Sequence, residues 1–135
     1  MPILSRRSVM FALPVLVLMV SARAWAQQDW SGRPLQLMMV SSPYCHFCRA
    51  WQAEIGSGFA VSAAGRTAPL FEVDVAGPFP DGLALDRRPR ITPSFILLDR
   101  GIEIGRVEGY VGQRYFYPVL EEMFDRAGVK VPAGS

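Results

Sequence analysis

Cys45 and Cys48 are the only cysteines in 135 residues, and they stand two residues apart in Ser42-Pro43-Tyr44-Cys45-His46-Phe47-Cys48. The apolar run before them, Leu35-Gln36-Leu37-Met38-Met39-Val40, reads as a buried strand. Arg49-Ala50-Trp51-Gln52-Ala53-Glu54-Ile55 after them reads as a helix. The pair therefore falls on a strand-to-helix turn, with Cys45 near the helix N-terminus. Unsatisfied backbone N–H groups carry partial positive charge there and favour an anion. A thiolate is such an anion, so this position lowers a cysteine pKa and makes Cys45 a nucleophile. Cys48 lies one turn on, within reach to close a disulfide. The chemistry is dithiol–disulfide exchange.

Other uses of the pair fit less well. A structural disulfide closing a two-residue loop removes little unfolded-chain entropy. Covalent haem would need histidine directly after the second cysteine, and Arg49 stands there. Zinc would need two more ligands from a chain with one histidine and no further cysteine. Copper(I) on two thiolates stays open, with Met38, Met39 and His46 nearby in sequence. The two methionines, however, lie in an apolar strand and read as core. No cofactor is expected, because thiols carry the electrons themselves.

The rest of the chain must position this turn. Leu70-Phe71-Glu72-Val73-Asp74-Val75 alternates as a second strand. The helix from about Tyr44 is expected to end at Gly56-Ser57-Gly58, with a further turn over residues 59–64 and a loop over residues 65–69. Asp81 to Leu85 reads as a short helix with Asp81 as N-cap. Ser94-Phe95-Ile96-Leu97-Leu98, the turn Asp99-Arg100-Gly101 and Ile102 to Val107 form a hairpin. Gln113 to Ala127 has a helical period, with Pro118 expected near its first turn. Arg87, Arg88 and Arg90 read as solvated loop charges, and Gly109 and Gly112 as loop-permitting residues near the site. The order β-α-β-α-β-β-α gives one α/β domain, a mixed central sheet flanked by helices.

Charge and export follow from the N-terminus. Arg6-Arg7, the apolar stretch from Val9 to Val20 and Ala24-Trp25-Ala26 have the layout of a cleaved secretory signal over residues 1–26. The stretch is short of the ~20 residues of a membrane span and contains Pro14. Ser5-Arg6-Arg7 also fits a twin-arginine signal, so either export route is open. Cleavage leaves residues 27–135 as the mature domain. It takes away three of the 14 basic residues, leaving 11 against 12 acidic ones, a net −1. That balance lacks the basic field nucleic-acid binding requires. An exported dithiol tends to be oxidised unless a partner supplies electrons.

With strand–CxxC–helix, Thr92-Pro93 before a strand, and a terminal hairpin plus helix, the chain resembles the thioredoxin superfamily over about residues 33–127. The resemblance implies a minimal thioredoxin fold, with the family's first strand and helix shortened or missing. It further implies that Pro93 is cis and faces the disulfide, and that Thr92 offers backbone groups to a substrate strand. Tyr44 and Phe47 would add an apolar rim. Two departures stand out. His46-Phe47 replaces the family's Gly-Pro, and a protonated His46 would stabilise the thiolate and make the disulfide more oxidising. Met39 occupies the position where thioredoxins bury a proton-accepting aspartate.

Three stretches resemble the small exported thioredoxins of bacterial sulfur-oxidation (Sox) clusters, the SoxS type. They are Pro43-Tyr44-Cys45-His46-Phe47-Cys48, Arg90-Ile91-Thr92-Pro93-Ser94-Phe95 and Glu103-Ile104-Gly105-Arg106-Val107-Glu108-Gly109-Tyr110. That similarity implies a monomeric periplasmic thiol:disulfide oxidoreductase that keeps cysteines of a partner, such as the Sox sulfur-carrier protein, reduced. Cys45 would attack the partner's disulfide or persulfide, Cys48 would resolve the mixed disulfide, and a membrane electron donor would re-reduce the pair. The alternatives are a periplasmic disulfide donor and a copper(I) chaperone.

Overall fold

The apolar run at Leu35 forms one of the two inner strands of the sheet. In the computed structural model, which describes residues 29–133, β1 (Leu35–Ser41) is buried at every position after the first. It lies between β2 (Leu70–Asp74), parallel to it, and β3 (Ser94–Asp99), antiparallel. β4 (Ile102–Glu108) pairs antiparallel with β3, giving the order β2-β1-β3-β4. The expected signal segment, residues 1–26, and the mature start at Gln27 lie outside the described residues.

Alternation along β1 divides the core. Leu37 and Met39 face one side with Cys45, Cys48, Trp51, Phe95 and Phe116. Met38 and Val40 face the other with Trp30, Ile96 and Leu98. Among the described residues, the buried apolar side chains of the helices belong to the first cluster, where Trp51, Phe59, Phe95 and Phe116 pack ring against ring at 5.1 to 6.3 Å. The second face is covered by irregular chain: Phe79, Leu83 and Leu85 pack there, and Trp30 Nε1 donates to the Asp81 carbonyl at 2.9 Å. The α/β reading, a mixed sheet flanked by helices, is the fold the chain adopts.

Local boundaries differ from expectation in four places. The helix after the cysteines does not stop at Gly56-Ser57-Gly58: α1 (His46–Trp51) continues as a π turn (Gln52–Gly56) into α2 (Ser57–Phe59). Trp51, Ile55 and Phe59 are all buried at four-residue spacing. An α-helix turns such a stripe by about 40° per step, and the wider π turn reduces that drift. Residues 65–69 are not simply loop, because α3 (Ala63–Thr67) forms behind an N-cap in which Ser62 Oγ accepts from the Gly65 N–H at 3.0 Å. The expected helix at Asp81–Leu85 is absent. Gly82 has φ of 83°, and the Ala84 N–H and C=O bond to Gly101 and Glu103, so a helix has no backbone groups left to use there. Pro118 lies deeper than the first turn of α4 (Gln113–Arg126), where it deprives the Arg114 carbonyl of its usual donor.

Candidate active site

The end of β1 launches the site. Ser42-Pro43-Tyr44 turns the chain so that the Cys45 N–H donates to the Ser42 carbonyl at 3.1 Å. Cys45 then takes an extended conformation and serves as the N-cap of α1, its Sγ accepting from the Cys48 N–H at 3.0 Å. A sulfur here does what serine or aspartate oxygen does at other helix starts: it satisfies an orphan amide. Cys45 and Cys48 are joined as a disulfide, with Cα atoms 5.2 Å apart. Both cysteines are buried, while Tyr44 is 92% and Phe47 57% exposed. His46 is exposed as well and packs edge-on to Phe47 at 5.5 Å. The redox bond thus sits at the base of an apolar rim.

Strand register brings the second sequence motif to the same place. Val40 pairs with Ser94, and Ser94 with Glu108. The residues just before Ser94 and just after Glu108 therefore emerge at the sheet end from which the Cys45 turn springs. The Thr92–Pro93 peptide is cis, Pro93 is buried, and its carbonyl accepts from the Gly109 N–H at 2.7 Å. Gly109 and Gly112 have φ of 91° and 92°, so this loop needs residues without a Cβ. Beneath the cysteines Met39 is fully buried, and Met38 is on the opposite face of the sheet, away from them.

Three polar groups around this frame were not visible in sequence. Tyr110 donates its hydroxyl to Glu54 Oε2 at 2.6 Å, tying the glycine loop to the cysteine-bearing helix across 56 residues. Burial first, then the Glu54 hydrogen bond and charge, push the Tyr110 phenol above its ordinary range. Glu72 accepts from Ser41 Oγ at 2.5 Å and from Gln52 Nε2 at 2.9 Å, linking the end of β1 and the middle of β2 to the π turn. Glu103 and Arg106 form an ion pair whose side chains are 2% and 6% exposed. Burial opposes charge on Glu103, but hydrogen bonds from Arg106 and the Asp86 N–H outweigh it and hold the carboxyl below its ordinary range. No local spacing rule marks these partners.

Two of the three loop arginines are not simply solvated. Arg87 pairs with Glu108 at 2.5 Å, and Arg88 lies over the Phe79 ring while donating to the Val75 and Gly77 carbonyls. Arg90 is exposed.

No protein-family model matches the chain, and no curated protein matches it. Among solved structures, the periplasmic thioredoxin SoxS from Paracoccus pantotrophus in its reduced form is 38% identical, with a TM-score of 0.66. The match covers 69% of this chain and 98% of SoxS. A thioredoxin from Fasciola hepatica aligns at 14% identity and a TM-score of 0.46, over 67% of this chain and 81% of its own. Identity at that level across nearly all of SoxS, with a CxxC disulfide capping the helix, places the chain in the thioredoxin superfamily among the SoxS-type thioredoxins, as a thiol-disulfide oxidoreductase.

Proposed function

We propose that the protein is exported, loses residues 1–26, and works in the periplasm as a monomeric reductant of protein disulfides. The observation that carries this reading is the 38% identity over 98% of a periplasmic thioredoxin. In the reduced protein, the Cys45 thiolate attacks one sulfur of a partner's disulfide. The partner's S–S bond breaks, a mixed disulfide forms, and the leaving thiolate takes a proton. Cys48 gives up its proton and attacks Cys45 Sγ, which releases the partner's second thiolate and leaves the Cys45–Cys48 bond. The partner has gained two electrons, and its two thiolates take one proton from Cys48 and one from water. A partner persulfide is cleaved by the same two steps and releases sulfide.

Tyr44, Phe47, Thr92 and Pro93 form the surface the partner meets, and His46 tunes the attacking thiolate. The partner class is an exported protein with an accessible cysteine, such as the Sox sulfur-carrier protein, and a membrane protein returns the electrons. The deciding measurement is the reduction potential of residues 27–135, equilibrated with glutathione buffers. A value near about −270 mV, as for thioredoxin, supports the reductant. A value near about −120 mV marks a disulfide donor instead.

A further inference from the structure

The segment leading into Thr92-Pro93 has almost no regular structure of its own. Between Asp86 and Ile91 only Pro89 is buried, and Asp86, Arg87, Arg88, Arg90 and Ile91 are exposed. Arg88 donates to the Val75 and Gly77 carbonyls and the Ile91 carbonyl accepts from Ser94 Oγ at 2.6 Å, but the start of the segment is held by β4.

The anchors run in order. Ala84 bridges to Ile102, and its carbonyl accepts from the Glu103 N–H at 2.9 Å. The Asp86 N–H donates to Glu103 Oε2 at 2.9 Å. Arg106 Nη2 donates to the Arg87 carbonyl at 2.7 Å. The same guanidinium grips Glu103 through Nε–Oε1 at 2.7 Å and Nη2–Oε2 at 2.8 Å. Glu108 accepts from Arg87 at 2.5 Å and from Arg106 at 3.4 Å. Last, the Gly109 N–H holds the Pro93 carbonyl.

A buried ion pair of this kind adds little net stability over an apolar pair, because desolvating both charges offsets their attraction. What it supplies is geometry. The planar guanidinium locks the carboxylate in a two-point fork, and each member spends one further bond on the loop backbone. Glu103 takes the Asp86 N–H and Arg106 takes the Arg87 C=O, so a single rigid unit holds the two peptide groups that flank the Asp86–Arg87 bond.

We propose that Glu103 and Arg106 are positioning residues for the exchange reaction: they set the course of residues 86–92 so that Thr92 and Pro93 present a fixed docking edge to the partner's chain. The inference rests on the reading that a partner docks along Thr92 and Pro93, and the test separates the two. Neither side chain acts on the reacting sulfurs.

The test compares insulin, a folded protein disulfide, with dithionitrobenzoate, a small disulfide that needs no docking edge. Arg106→Ala and Glu103→Gln are expected to raise KM for insulin by about tenfold with kcat within about twofold, and to leave the dithionitrobenzoate rate within about twofold. Arg106→Lys keeps the charge but cannot span both Glu103 and the Arg87 carbonyl, so it should restore only part of the KM. It also carries the test, with Glu103→Gln, if Arg106→Ala fails to fold. Ile91→Asp, which places a charge on the segment itself, is the reference for docking. A raised KM in Ile91→Asp but not in folded Glu103 or Arg106 variants overturns the positioning role and leaves docking intact. An unchanged KM in all of them overturns docking and, with it, the positioning role. Equal losses on insulin and dithionitrobenzoate also overturn the positioning role, because the pair would then act on the sulfurs or on folding.

Discussion

The backbone N–H of Cys48 donates to the sulfur of Cys45 over 3.0 Å. One atom is thus both the cap of a helix and half of the redox bond. The two cysteines are not equivalent: Cys45 lies at the helix start below the exposed Tyr44 and Phe47, and Cys48 lies a turn inside with 4% exposure.

That asymmetry assigns different outcomes to the two serine variants. Cys45→Ser should abolish insulin reduction, because the attacking sulfur is gone. Cys48→Ser should still attack but not resolve, and should accumulate a mixed disulfide with its partner that dithiothreitol releases. Non-reducing electrophoresis and mass spectrometry of periplasmic extracts read both. Turnover by Cys45→Ser, or trapping by Cys45 and Cys48 variants alike, would contradict this assignment.

The Glu103–Arg106 pair predicts an acid-sensitive share of stability. The Glu103 carboxyl is held below its ordinary 4.5, so the unfolded chain binds its proton more readily than the folded one. The stability it contributes is present above about 4.5 and is lost as pH falls through the lowered folded value. Glu103→Gln should cost about 3 kcal/mol at neutral pH, since Arg106 is left buried and only partly compensated by Glu108. Urea melts should show the gap between wild type and variant narrowing in acid. Parallel pH curves would mean the carboxylate does not carry the effect.

Close backbone approach predicts a sharp contrast between two glycines. A Cβ on Gly65 would stand 1.9 Å from the Phe59 carbonyl oxygen and 2.8 Å from its carbon, so the end of α2 would have to move. Gly65→Ala should cost about 3 kcal/mol. At Gly58 a Cβ meets nothing within 4 Å. Gly58→Ala should be neutral or stabilise the helix by up to about 1 kcal/mol. Thermal melts of the two variants check this, and equal effects would contradict the packing.

Much of the site was legible because its signals are local. A strand-like apolar run, two cysteines in the first turn of a helix, and a Thr-Pro before a second apolar run are short-range patterns, and each maps onto β1, α1 and β3. Burial of Met38 and Met39 was equally readable from the apolar strand around them. The boundaries misread were those where packing overrode local preference. Gly56-Ser57-Gly58 is a stop signal, yet burial of Phe59 against Trp51 carries the helix through it. Asp81 looks like an N-cap, yet Ala84 pairs with the hairpin instead.

By itself the amino-acid order determined the chemistry: which atoms exchange electrons, and that a helix start holds one of them. Tertiary structure alone decided what surrounds them. The pairing of Val40 with Ser94 and of Ser94 with Glu108 brings three separate loops to one end of the sheet. Tyr110 meets Glu54, and Glu103 with Arg106 meets the backbone of residues 86 and 87, across separations no periodicity encodes. Short-range patterns report the backbone's own preferences, whereas these contacts exist only once burial and strand register have folded distant segments together.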